Sequence, residues 1–222
     1  MMTRITAFGA LTLLAACGSA SVVENEAAAQ ASRAAKPLIV AGVSIGMSAS
    51  DARAALERDG WDVEAFPGLD WATTVRKEVV RQRNLPVYDF PRKGLESLRA
   101  TKGDETIVVE FHPVTSGAKV SKVAYSAPTA GRTREQLRGQ LVERYGTPSR
   151  SAPPQSNLLM DWCTGGEKCR SAYGATKPAM HAEDDSYRKL QLLLLEGVDA
   201  ERTWQAELQG AVGREMPAKS SF

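Results

Sequence analysis

Two segments of the chain specify both ends of a short helix, and this pair constrains the fold more than any other feature. The first segment runs from Ser48 to Gly60. Ser48 and Asp51 form an S-x-x-D motif, whose side chains satisfy free N–H groups in a first helical turn. Gly60 can adopt the left-handed conformation that ends many helices. The second segment, 133–146, repeats the arrangement with Thr and Gln as its capping pair. Each segment therefore predicts a helix with one apolar face on a core.

Segments of alternating apolar and polar residues follow each helix, and this alternation is the period of a strand with one buried face. In the first half of the chain they cover residues 95–101, 107–111 and 123–125. In the second half they cover residues 158–163, 172–173 and 190–194. The short connections between them favour antiparallel pairing.

Together these patterns predict an α+β fold with two layers, built from two tandem helix-plus-antiparallel-sheet repeats. We expect the first repeat over residues 37–128 and the second over residues 129–216. A final amphipathic helix, from Asp199 to about Gln209, belongs to the second repeat.

A further helix is predicted from Asp70 to about Arg83. One side of this helix is basic, with Arg76, Lys77, Arg81 and Arg83. Such a side is usually solvated, and the alternative is a surface for an anionic partner such as lipid headgroups.

The start of the chain is typical of a secretory leader. Residues 1–16 combine one basic residue with an apolar run that is too short to span a membrane core, which needs about 20 residues. The run ends in small residues before Cys17, with Leu14 three places upstream, and this resembles a bacterial lipobox. The resemblance implies cleavage before Cys17 and acylation of its thiol and new amine, for example with palmitate. Gly18 then implies export to the outer membrane. The alternative is an ordinary signal peptide followed by an incidental cysteine.

The mature chain has a balanced charge. The whole sequence has 28 Lys and Arg against 26 Asp and Glu, and one of the basic residues, Arg4, lies in the leader. This balance argues against a dedicated nucleic-acid-binding protein. Residues 17–36 are rich in Ala, Ser, Gln and Glu, so we expect a lipid-bearing cysteine followed by a flexible tether.

Cys163 and Cys169 remain once Cys17 is assigned to the lipid. In an oxidising periplasm, an even pair separated by five residues predicts a hairpin disulfide. The alternatives are a zinc pair completed by His112 and His181, or a redox pair. Zinc and redox pairs usually have closer spacing.

Two stretches resemble a recurrent unit of small envelope proteins. Ile45-Gly46-Met47-Ser48, followed by a helix to Gly60-Trp61, is similar to a unit in the SmpA/OmlA group of outer-membrane lipoproteins, and Tyr145-Gly146-Thr147-Pro148 with Trp162 looks like a second copy. That group belongs to the β-barrel assembly machine, and the secreted β-lactamase inhibitory protein contains similar units. The resemblance implies a fold without an active site that binds other proteins with its sheet face and loops.

An enzymatic interpretation depends on residues 42–46, which read G-x-S-x-G around Ser44. Too few residues lie between the tether and this motif for the earlier strands of an α/β-hydrolase. His181 and either Asp184 or Asp185 are conceivable partners, but they lie close together in what reads as a polar loop. We therefore predict no catalytic residue.

The remaining candidate ligands predict no metal site and no cofactor. His112 precedes a proline at a strand end and reads as a surface or edge residue. The acidic run at residues 183–185 lacks the alternate ligand spacing of a calcium loop.

The sequence thus predicts a lipid-anchored, non-catalytic protein-binding module on the periplasmic side of the outer membrane. Its role would be in assembly or maintenance of the cell envelope, with another envelope protein as partner. Trp61 and Trp162 are candidate partner-binding residues. The alternatives are an inhibitor-like domain for an envelope enzyme and a periplasmic serine hydrolase that uses Ser44.

Overall fold

The computed structural model describes residues 36–86, 89–153, 155–164, 169–185 and 188–216. The predicted leader, Cys17 and the tether up to residue 35 lie outside these residues. The described residues form an α+β fold, which confirms the predicted class. The α-helices are α1 (Ala49–Arg58), α2 (Trp71–Gln82), α3 (Arg134–Tyr145) and α4 (Val198–Glu215). The strands are β1 (Asp62–Gly68), β2 (Gly94–Lys102), β3 (Glu105–Val114), β4 (Gly117–Pro128), β5 (Arg150–Ser151), β6 (Leu159–Cys163), β7 (Ala179–Asp184) and β8 (Lys189–Leu195).

All eight described strands belong to one antiparallel sheet in the order β1-β2-β3-β4-β8-β7-β6-β5. The first four strands form a meander, and so do the last four. The two meanders join through their final strands, where Ala124 of β4 pairs with Leu193 of β8. A helix, α1 or α3, precedes each meander.

The predicted helix ends are confirmed. Ser48 caps α1 because its Oγ accepts the N–H of Asp51. After α1, Gly60 has a φ of +80°, and the N–H of Trp61 donates to the carbonyl of Leu56 at 3.1 Å. Helix α3 begins with a complete capping box, since Thr133 and Gln136 satisfy each other's backbone N–H groups.

The main core lies between one face of the sheet and helices α1 and α3. Leu56 of α1 and Leu141 of α3 belong to the same buried cluster as the inward side chains of the strands. The fully buried strand residues include Leu98, Ile107, Val109, Val123, Met180 and Leu194. These residues alternate with outward side chains, as the period of two requires.

Helices α2 and α4 pack against each other around a smaller core. Val75 and Val79 of α2 meet Leu208 and Val212 of α4. The predicted helix at residues 70–83 is confirmed, with Asp70 as its N-cap. Helix α4 extends six residues beyond the predicted end at Gln209, because its last two turns bury apolar side chains against α2.

Three strands and one turn differ from the predictions. The sequence does not predict β1, β5 or β7. Residues 172–173, predicted as a strand, belong to a 3₁₀ turn over Ala172–Gly174. His181 and Asp184, predicted in a polar loop, lie in β7 instead. His181 can lie in a buried strand because it forms a hydrogen bond with Asp161 on β6.

Candidate binding face of the sheet

The second face of the sheet, opposite α1 and α3, remains partly open. Its central row crosses three strands, where Val108, Ala124 and Leu193 lie side by side and are half-buried. Polar side chains border this apolar row on both sides. One border contains Glu110 and Lys122, with the apolar Leu195 next to Lys122 on β8, and the other border contains Thr106, Ser126 and Gln191. We call the three residues of the central row and these five polar residues the open face.

The side chain of Tyr173 lies beside the open face. Tyr173 lies in the 3₁₀ turn, is 59% exposed and has its ring centroid 5.2 Å from that of His181. Two hollows of about 310 and 250 Å³ lie on either side of this side chain. Tyr173 therefore divides the surface into two compartments that a partner could fill.

The predicted disulfide holds the segment that carries Tyr173. Cys163 at the end of β6 is bonded to Cys169, with their Cα atoms 6.3 Å apart. Both cysteines pack against a small cluster of Ala172, Ala175 and Ala179. The pairing confirms the predicted disulfide between Cys163 and Cys169.

His181 and Asp161 form a buried pair at the edge of the open face. His181 Nδ1 lies 2.7 Å from Asp161 Oδ1, and the Asp161 side chain is fully buried. Arg150 approaches the other carboxylate oxygen at 3.5 Å. The hydrogen bond to Asp161 raises the pKa of His181; burial opposes this, and Glu183 adds to it. This pair braces β6 against β7.

His112 forms a second cluster at the opposite end of the first hollow. Its Nε2 lies 2.6 Å from Glu196 Oε1 and 2.9 Å from Glu201 Oε2. Its ring stacks on Trp204 with centroids 4.3 Å apart and planes at 11°. Burial alone lowers the pKa of His112, but the hydrogen bond and charge of Glu196, together with Glu201, outweigh it and raise the pKa. Strand β3 lies inside the sheet, so the expectation of an edge residue is wrong, while the side chain of His112 is 23% exposed where it lines the hollow.

The two tryptophans predicted as partner-binding residues lie in the core. Trp61 is 6% exposed and Trp162 is 4% exposed. Trp162 Nε1 donates to the carbonyl of Gly146 at 2.8 Å, and its ring meets Tyr145 edge to face. Both side chains lie in the core between the sheet and helices α1 and α3, so a partner at the open face would not reach them. The exposed aromatic side chain beside the open face is that of Tyr173, rather than either tryptophan.

The chain's two histidines both lie on the outward side of the sheet. Ser44 precedes α1, which packs on the inward side. Among the described contacts, the hydrogen-bonding partners of His112 and His181 are carboxylates. The structure therefore does not bring Ser44 together with either histidine.

None of the helices within the described ranges is long and apolar enough to cross a membrane. Comparisons with protein-family models, with curated proteins and with solved structures found no significant match.

Proposed function

We propose that the protein is a lipid-anchored, non-catalytic protein-binding module of the bacterial cell envelope, and that the open face binds its partner. The observation that carries this proposal is the row of Val108, Ala124 and Leu193 bordered by polar side chains. Protein interfaces commonly have an apolar centre and a polar rim. An envelope protein that takes part in outer-membrane assembly or maintenance is the partner class that fits the lipobox at Cys17.

The arrangement of the sheet supports an origin from two tandem repeats. Each half contains a capped helix followed by a four-stranded antiparallel meander. We propose residues 37–128 and 129–216 as the repeats, with α2 inserted into the first and α4 added to the second. In this arrangement the two last strands meet at the centre of the open face, as expected for a surface that both repeats build.

The position of Ser44 favours binding over hydrolysis. A serine nucleophile needs a general base within hydrogen-bonding reach. The two histidines of the chain are engaged with carboxylates on the other side of the sheet. Replacement of Ser44 by Ala is therefore expected to leave the cellular function unchanged, and loss of a measurable esterase or amidase activity in that variant would contradict the proposal.

A second role, occlusion of an envelope enzyme, is favoured by one observation. Tyr173 is exposed on a turn that the Cys163–Cys169 disulfide holds in place. A rigid aromatic side chain of this kind suits insertion into a partner's cleft. Inhibition of the partner's activity would distinguish this role from assembly.

The experiment that tests the proposal places a photo-crosslinking amino acid at position 124 in cells of the source bacterium. A second variant carries it at Val142, which is 38% exposed on α3 and serves as the matched control. We expect one defined envelope protein to crosslink at position 124 and not at position 142. Equal yields at both positions would contradict the open face as the binding surface.

Anchoring is tested separately. Cys17→Ser removes the thiol that the lipobox would acylate. We expect this variant to leave the membrane fraction or to keep its leader. Unchanged flotation with membranes would contradict the lipid anchor without bearing on the open face.

A further inference from the structure

We propose that His112, Glu196 and Glu201 form a binding site for a divalent transition-metal ion, with zinc as the best match. One imidazole and two carboxylates each offer a ligand atom, and these atoms all lie within 4.8 Å of one another. Among the residues that the structure describes, this is the one such group. Imidazole nitrogen and carboxylate oxygen are common zinc ligands.

Three separate elements supply the ligands, and each element is held in place. The ring of His112 on β3 stacks on Trp204, whose Nε1 donates to the carbonyl of Pro113 at 2.8 Å. Glu196 follows β8 and donates its N–H to the carbonyl of Ser121. Glu201 lies in the first turns of α4. A bound ion would therefore connect the sheet to α4.

The chain turns closely between the two carboxylates. Gly197 has a φ of +90°, and a Cβ at this position would lie 2.5 Å from the backbone of Lys177. Only glycine fits at this position without a shift of the backbone. The turn brings Glu196 and Glu201 to the same ring nitrogen although they come from different elements.

The charges of the cluster favour a cation. A single nitrogen, His112 Nε2, lies within hydrogen-bonding distance of both carboxylates, but it can carry only one proton. With a neutral ring that carries this proton on Nε2 the three side chains have a net charge of −2, and with a doubly protonated ring their net charge is −1. Lys122 lines the same hollow, but its ammonium group lies 2.8 Å from Glu110. A divalent ion would replace the shared proton and offset the remaining negative charge.

The geometry needs only a small adjustment. Ligand atoms around a tetrahedral zinc ion lie about 3.3 Å apart, given bonds of about 2.0 Å. The two carboxylate oxygens would therefore move back from His112 by less than about 1 Å. The Glu201 side chain is 44% exposed, and its other carboxylate oxygen, Oε1, accepts a hydrogen bond from Gln205 Nε2 at 2.9 Å on the same helix. The adjoining hollow leaves room for water as a further ligand. The sequence predicted no metal site, because these residues are 84 and 89 positions apart along the chain.

The test measures zinc binding to the purified mature protein by titration calorimetry, with cobalt absorption as a second readout. Wild type is compared with Glu201→Gln and His112→Gln. The matched control is Glu207→Gln, which removes the same charge from an exposed position on the same helix. Circular dichroism confirms that each variant is folded.

We expect one zinc ion per chain at micromolar affinity, and a weakening of more than about tenfold in Glu201→Gln and His112→Gln. Glu207→Gln should bind like wild type. Zinc at about 100 times its dissociation constant should raise the melting midpoint of wild type by about 5–10 °C. Binding weaker than millimolar, or equal binding by wild type and the ligand variants, would overturn the site. Neither result depends on whether the open face binds a protein.

Discussion

The two faces of the sheet use the same strands for different purposes. On the inward face, Ile107, Val109 and Val123 are fully buried beneath helices. On the outward face, Val108 and Ala124 are half-buried. Adjacent residues of one strand thus differ in burial. We expect substitutions on the inward face to change folding, and under the proposed function we expect substitutions on the open face to change binding.

The largest effect is expected on the inward face. Trp162→Ala removes a buried indole and its hydrogen bond to Gly146. Loss of a large buried aromatic side chain typically costs about 3–5 kcal/mol. Urea unfolding of the mature protein measures this change. A loss below about 1 kcal/mol would show that the side chain is not part of the core.

Removal of the disulfide should have the next largest effect. Replacement of Cys163 and Cys169 by Ala opens a small loop and should lower the free energy of unfolding by about 2–2.5 kcal/mol in the chain-entropy model. Because the bridge holds the turn that carries Tyr173, amide exchange should rise in residues 169–178 before it rises elsewhere. An unchanged exchange rate there would contradict the bracing role of the disulfide.

The His181–Asp161 pair predicts a dependence of stability on pH. The pKa of His181 is raised in the folded protein, so the pair stabilises the fold fully below the unfolded value of about 6.5. This contribution is lost as the pH rises through the folded-state pKa.

The measurement is the free energy of unfolding from about pH 6 to pH 9 for wild type and His181→Gln. His112, whose pKa is also raised, contributes in the same direction in both proteins. The variant should therefore be less stable and show a smaller decline with pH. An equal decline in the two proteins would contradict the pair.

The smallest effect on stability is expected at Tyr173. Its side chain is mostly exposed, so Tyr173→Ala should change the free energy of unfolding by no more than about 0.5 kcal/mol. The same substitution should reduce crosslinking of the partner at position 124. A large loss of stability with unchanged crosslinking would show that Tyr173 stabilises the fold and does not contact the partner.

The parts of the fold that the sequence predicts are those set by local chemistry. In α1 and in α3, the capping residue and the closing glycine are separated by only twelve or thirteen positions in the sequence. The two cysteines of the disulfide are also close in the sequence. Strands β3 and β4 were predicted because their inward residues are strongly apolar. The class of fold and the disulfide therefore needed no knowledge of distant contacts.

The parts that the sequence did not predict depend on distant partners. His181 reads as a loop residue until Asp161, twenty positions away, is placed beside it. His112 reads as an edge residue until β8 and α4 bring Glu196 and Glu201 to its ring. Trp61 and Trp162 were predicted at a binding surface because exposure cannot be read from residue type. The spacing of Glu201 and Trp204, which share one side of a helix, is the signal that could have indicated the histidine cluster.

The most direct test of the open face measures the affinity of the purified mature protein for the partner that crosslinks at position 124. It compares Ala124→Arg, which fills the centre of the open face, with Val142→Arg on α3. We predict that Ala124→Arg weakens binding by about 30-fold or more, as expected at the centre of an interface, and that Val142→Arg binds like wild type. Equal affinities for the two variants, or a selective loss in Val142→Arg, would contradict the account.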